Sequence, residues 1–207
     1  MDILIHGCWK RLKYLEGYLA KKLPKAHLMV DYYGEGNIEA YRGSYRVMYL
    51  NGVLPKTGNT WHLEDDVLPD RRIMKWMREL ESREGIICGF GTTEIYGEVE
   101  PEDMWYSFPC IRIPNDYLIG FEKWLYHNWM DEDVAMRVAI GKGIDFLFRK
   151  YVIQNPIPIY HHNPCMVEHI DEYIGGSLIN ERDKPIKAIR FEDTERLAEL
   201  KDWVKEN

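Results

Sequence analysis

The chain has 207 residues, 45% of them hydrophobic, enough to fill the core of one substantial domain. Its 27 basic and 34 acidic residues leave a net charge of -7, which excludes nonspecific attraction to a polyanion as the default mode of action. No run nears the roughly 20 apolar residues needed to cross a bilayer, the start MDILIHGCWKR lacks a secretory pattern, and Cys8, Cys88, Cys110 and Cys165 form no CxxC pair, so the expectation is a cytoplasmic protein with reduced thiols.

DILIH at 2–6 is an apolar run of strand length, and Leu12, Leu15, Leu19 and Leu23 recur at helical spacing between Lys10 and the breaker Pro24. AHLMVDYY at 26–33 predicts a second strand, ended by Gly34 and Gly36. This strand, helix, strand opening is the unit of parallel sheets. VMYL at 47–50 and TWHLE at 60–64 predict further short strands, separated by the loop NGVLPKTGN. Asp70 is placed to cap a helix from Arg71 to about Glu81, with Ile73, Met74, Met77 and Leu80 facing inward. GIICGF at 85–90 reads as another core strand. The segment 92–109 is acidic, aromatic and broken by Gly and Pro, which predicts loops or a hairpin outside the core. A helix from about Pro114 to Tyr126 follows, then a second helical start in MDEDVAMRVAIGKG, with acidic residues in its first turn and Gly141 and Gly143 at its end. Pro156, Pro158 and Pro164 predict an extended stretch into HHNPCMVEHID. From about Glu192 the tail presents Leu197, Leu200, Trp203 and Val204 on one face of a helix. The sum is an α/β single domain, a mostly parallel central sheet flanked by helices and closed by the C-terminal segment.

Glu64, Asp65 and Asp66, in HLEDDVLP, are three consecutive carboxylates at the end of a predicted strand. Like charges this close raise one another's pKa unless something positive offsets them. Strand alternation sends Glu64 and Asp66 to one side and Asp65 to the other. Two carboxylates then converge at a strand's C-terminal end, where open α/β sheets bind ligands. Hard oxygen donors suit Mg2+ or Mn2+, commonly held by one or two carboxylates together with substrate phosphates. A solvated acidic turn, with Asp66 or Asp70 capping the next helix, accounts for the tripeptide equally well.

HLEDDVLP resembles the acidic metal motif that ends a central strand in nucleotide-sugar-dependent glycosyltransferases of the GT-A fold. ILIHGCWKRLKYLEGYL is similar to their opening strand and helix, where a basic residue, here Arg11, lies near the nucleotide. MDEDVAMRVAIGKG resembles their acidic helix start facing the acceptor, and NPCMVEHIDEYIGGSLIN a C-terminal segment in which a histidine approaches the metal or diphosphate. The resemblance spans about residues 2–180. It implies a GT-A-like (Rossmann-like) fold, with a nucleotide-sugar-binding half over 1–90, an acceptor or catalytic half over 91–180 and a helical tail over 181–207. It also implies Mn2+ or Mg2+ as cofactor and a nucleotide sugar as donor.

Transfer from such a donor expels a nucleoside diphosphate, so a divalent cation on its phosphates neutralises the charge that grows as the sugar bond breaks. Asp66 is the candidate ligand, with Glu64 or Asp65 helping through water or the ribose and Arg11 near the phosphates. By the resemblance His169 lies near the metal or diphosphate. The acceptor hydroxyl needs a base away from the metal. Asp131, Glu132 and Asp133 are the candidates; the resemblance favours Asp133, and N-terminal capping accounts for others of the three. His161 and His162 read as ordinary hydrogen-bonding residues, while Trp105, Tyr106 and Phe108 form an aromatic cluster able to stack on a sugar or a base.

The chain departs from the family by its short length, by Glu at the first acidic position and by the lack of a membrane anchor. These departures point to a minimal cytoplasmic enzyme of a bacterial cell or phage-infected host. Acceptor identity stays open, with a glycan or a modified DNA base as the candidates; a duplex would need a basic groove, for which the Lys and Arg clusters at 10–13, 21–25 and 71–78 are available. Two other classes fit the same carboxylates: a metal-dependent phosphohydrolase or nuclease, which needs ligands for two cations, and a non-catalytic domain that binds a sugar nucleotide.

Overall fold

Strand β1 (Asp2–Cys8) is buried from Ile3 onward and pairs in parallel with both β2 (His27–Asp31) and β3 (Asn59–Glu64). Between β1 and β2, a helical stretch over residues 9–22, α1, opens as a 3-10 turn (Trp9–Arg11) and widens to a π turn at Leu15–Leu19. The wider turn alters the inward face. Arg11, Tyr14, Leu15, Tyr18, Leu19 and Leu23 are buried, whereas Leu12, expected in the stripe, is half-buried. The computed structural model describes residues 1–31, 57–101, 109–128, 130–132, 134–136, 144–174 and 186–207.

Short strand β4 (Val67–Pro69) and helix α2 (Ile73–Glu79) follow, then β5 (Ile86–Cys88), β6 (Gly97–Val99), β7 (Cys110–Pro114), α3 (Asn115–His127) and α4 (Ile144–Gln154). The chain closes with β8 (Ile159–His161), β9 (Val167–His169) and α5 (Thr194–Glu206). Among the described residues the main sheet has seven strands in the order β2-β1-β3-β7-β5-β8-β6. Strands β2, β1, β3, β5 and β8 point one way; β7 and β6 run against them. The sheet is therefore mostly parallel, with one antiparallel strand at its centre and another at its edge.

Apolar side chains alternate across the sheet and make a core on each face, as expected where helices cover both sides. Ile3 and Ile5 join Trp61 and Leu63 beneath Leu15 and Leu19 of α1, Ile73 and Met77 of α2 and Leu200 of α5. Leu4 turns the other way, into the layer holding Ile111 and Ile113 with Leu118 and Phe121 of α3 and Phe148 and Tyr151 of α4. No helix among the described residues is long and apolar enough to cross a membrane. All four cysteines are buried, and none forms a disulfide.

Several elements differ from the sequence expectation. Helix α2 begins later than Arg71, because Asp70 spends its carboxylate on the Arg72 N–H (2.8 Å) and the Arg72 guanidinium, a local turn that competes with helix. β6, inside the stretch expected to lie outside the core, joins the sheet edge through β8. β7 and α4 have no counterpart in the sequence reading. The expected strand at 47–50, the glycine stops at 34, 36, 141 and 143, and the aromatic cluster Trp105, Tyr106 and Phe108 lie outside the described residues.

The tail is fastened by Asp193, whose side chain accepts the Arg196 N–H of α5 at 3.0 Å and the Arg71 N–H at 2.8 Å. Burial pushes the Asp193 carboxyl up, but the two N–H groups and the Arg71 guanidinium outweigh it and hold it below the usual carboxylate range. Asp193→Ala is expected to lower stability by about 1–2 kcal/mol, the worth of a lost cap. Because the folded-state pKa is depressed, this contribution is complete above the ordinary aspartate value of about 3.9 and is lost as pH falls through the lower folded-state value. Urea titrations of both proteins should therefore give a constant difference near neutrality and converging midpoints in strong acid.

Candidate metal centre

β3 ends at Glu64, level with His6 on β1. The two residues after it turn the chain into β4, whose Val67 and Leu68 are fully buried and fix the exit direction. β4 pairs antiparallel with β9, placing Val67 opposite His169, and the Ile170 N–H donates to the Asp66 carbonyl at 2.7 Å. This two-stranded ribbon carries a histidine from late in the chain to the carboxylates at the end of β3. One donor atom each from Glu64, Asp66 and His169 lie within 4.8 Å of one another.

The alternation of the strand continues into the turn. Glu64 and Asp66 share the side occupied by His169, and Asp65 goes elsewhere: its Oδ2 accepts the Cys8 N–H at 2.7 Å and its Oδ1 meets Arg11 Nη1 at 2.6 Å. Arg11 Nη1 also lies 2.8 Å from Asp66 Oδ2. The tripeptide is not a solvated turn, since the Asp65 and Asp66 side chains are only 9% and 14% accessible.

Burial pushes the Asp66 carboxyl up, yet the hydrogen bond and charge of His169, with the charge of Arg11, hold it well below the usual carboxylate range. Burial pulls the His169 imidazole down, but Asp66, Asp171 and Glu64 together carry it above its ordinary value. Burial opposes the Arg11 charge too, and Asp65 and Asp66 overcome that. The site is thus a compensated cluster in which Asp66 stays ionised.

The residues suit a divalent cation on three counts. Two carboxylates and one imidazole form a mixed oxygen and nitrogen set that matches Mn2+ better than Mg2+, which prefers oxygen alone. Asp66 Oδ1 is buried and has no hydrogen-bond partner among the described residues, an expensive state for a carboxylate oxygen unless a ligand takes it. A carboxylate also stands behind the imidazole: Asp171 Oδ1 lies 3.3 Å from His169 Nδ1, within reach of its charge though not aligned as a hydrogen bond. Sequence reasoning overlooked Asp171, although its His-x-Asp spacing was in view.

The other predicted residues are placed as follows. Asp131 accepts the Val134 N–H at 3.2 Å, as a helix cap does, and lies 3.6 Å from Lys150 Nζ; Glu132 is exposed; Asp133 lies outside the described residues. His161 is buried on β8. His162 is set against Trp76 at 4.8 Å between ring centres, with Nδ1 2.7 Å from the Pro164 carbonyl. The basic clusters are extensively matched by acid: Arg71 with Asp193 and Glu195, Arg72 with Asp70 and Glu192, Lys22 with Glu199, and Arg11 with the two site carboxylates.

No protein-family model matches the sequence, and no curated protein matches it. Among solved structures, the chain is similar to a glycosyltransferase involved in the glycosylation of the major capsid of PBCV-1, at 13% identity and a TM-score of 0.49, over 79% of this chain and 82% of that one. It is also similar to A197 from STIV, at 15% identity and a TM-score of 0.48, over 82% of this chain and 86% of that one.

Proposed function

We propose that the chain is a metal-dependent glycosyltransferase of the GT-A kind, moving a sugar from a nucleotide-sugar donor to an acceptor hydroxyl of a glycan or of a modified DNA base. The observation that carries this reading is the meeting of Glu64, Asp66 and His169 within 4.8 Å at the C-terminal end of β3, beside a buried Asp66 oxygen that no group among the described residues satisfies. In this reading Asp66, Glu64 and His169 hold Mn2+, which when bound supplies Lewis-acid stabilisation of the departing diphosphate. Asp171 faces the imidazole with its charge, and Arg11, anchored on Asp65, braces Asp66. Proton removal from the acceptor falls to the acidic run at 131–133, with Asp133 as the base, since Asp131 already serves as a cap and faces Lys150.

A panel of nucleotide sugars, screened with Mn2+ for release of nucleoside diphosphate, tests this. The expected result is release with one or a few donors, lost with EDTA and restored by Mn2+. Asp133→Ala should then lower transfer by about 10²–10⁴-fold, the range for a positioned general base, while Mn2+ binding is unchanged. Phosphoester cleavage without sugar transfer would favour a phosphohydrolase or nuclease. Binding of a sugar nucleotide with no turnover would favour a non-catalytic domain.

A further inference from the structure

Helix α1 grips the turn after β3 at more than one point. Arg11, whose side chain is only 3% accessible, brings a single nitrogen, Nη1, to 2.6 Å from Asp65 Oδ1 and 2.8 Å from Asp66 Oδ2. The Cys8 N–H, at the mouth of the same helix, holds the other Asp65 oxygen at 2.7 Å. One turn further along α1, the Tyr14 hydroxyl donates to the Val67 carbonyl at 2.6 Å. The result is a carboxylate pair whose separation and orientation are set from behind, with Asp66 Oδ1 left over, buried and without a hydrogen bond among the described residues.

An arginine in this position can act in two ways with opposite effects on a cation. If it only balances charge, it repels a divalent ion, and removing it tightens binding. If it orients Asp66 against the repulsion of its acidic neighbours, removing it lets the carboxylate swing and binding weakens. The burial of the guanidinium and its sharing of one nitrogen between two carboxylates favour orientation, because a mobile counter-charge needs neither. We infer that Arg11 is a positioning residue for the cation site, a fixed internal cation that aims Asp66 at the ion and is not itself a contact to the donor's phosphates. This rests on the cation reading given above.

The test measures Mn2+ affinity by the electron paramagnetic resonance signal of free Mn2+, on full-length native chain, Arg11→Met and Arg11→Lys, with folding followed by circular dichroism. Arg11→Met is expected to bind Mn2+ about 10–100-fold more weakly, the usual cost of losing a partner that orients a ligand. Arg11→Lys should recover most of the loss, since one ammonium nitrogen can span both carboxylates as Nη1 does. A folded Arg11→Met that binds Mn2+ as tightly as the native chain, or more tightly, overturns the inference. Should Arg11→Met fail to fold, Asp65→Asn, which is isosteric and loosens the anchor of Arg11, is expected to weaken Mn2+ in the same direction, and unchanged affinity overturns the inference there too. A native chain that takes up no Mn2+ overturns the cation reading and this inference together, whereas native binding with unaltered variants overturns this inference alone.

Discussion

Asp66→Asn is expected to remove the thermal stabilisation that Mn2+ and a nucleoside diphosphate together give the native chain. A ligand set that binds only the folded state stabilises it by about 2.7 kcal/mol at a hundredfold excess over Kd. In a chain of this size that is a rise of roughly 5–10 °C in Tm. Asparagine keeps the shape of the side chain and an oxygen for Arg11, so the fold should persist. What it lacks is the charge that Arg11 and His169 hold in place, and the oxygen Oδ1 that is buried without a partner among the described residues. Donor hydrolysis should fall by about 10³-fold or more, because losing the cation forfeits several kcal/mol of stabilisation at the departing diphosphate. Differential scanning fluorimetry decides the first point, and a full shift retained in Asp66→Asn would remove this carboxylate from the site.

The second large effect belongs to the scaffold. Arg112, in the middle of β7, is fully buried, and its guanidinium donates to the carbonyls of Leu80 (2.6 Å), Glu81 (3.1 Å) and Gly85 (3.0 Å), and to that of Arg83. These carbonyls sit at and beyond the C-terminal end of α2, where helical backbone acceptors run out of partners and the helix dipole is negative. One cation thereby closes the helix and fastens the connection into β5. Arg112→Met removes every donor at once and leaves the acceptors facing a thioether. The expected loss is about 3–4 kcal/mol, since each acceptor left unsatisfied in this buried or half-buried fan costs up to about 1–3 kcal/mol and the relief of burying one charge fewer offsets part of the sum. At roughly 2–4 °C per kcal/mol, Tm should fall by about 10 °C. Arg112→Lys should recover less than half, because an ammonium cannot span a fan of carbonyls as a planar fork does. Chemical denaturation with unchanged m-values would confirm that the folded state is the one affected.

These two sites also show where sequence reasoning succeeds and where it stops. β1, α1, β5 and α5 were legible because each buries an apolar stripe at one period, and period is a local property. The side-to-side alternation of Glu64, Asp65 and Asp66 was legible for the same reason. β7 was not, because an arginine interrupts CIRIP, and the carbonyls that satisfy it come from 27 to 32 positions earlier in the chain. α4 was missed although Leu147, Phe148, Tyr151 and Val152 carry a helical spacing; the glycines at 141 and 143 drew the reading to a stop before it. Arg11 was expected near the donor's phosphates by resemblance, and nothing local says that its partners lie 54 and 55 positions away. Among three late histidines, His169 is set apart by the register of a three-residue ribbon, too short for its pattern to announce a partner strand.

That ribbon has a consequence for how the protein matures. Since β4 and β9 are more than ninety positions apart in sequence, a chain emerging from the ribosome exposes its acidic turn long before the imidazole that completes the donor set. Through most of translation the nascent protein offers only carboxylates, with Arg11, made before them, available to shield them. Capture of the ion at its full strength has to await the late segment.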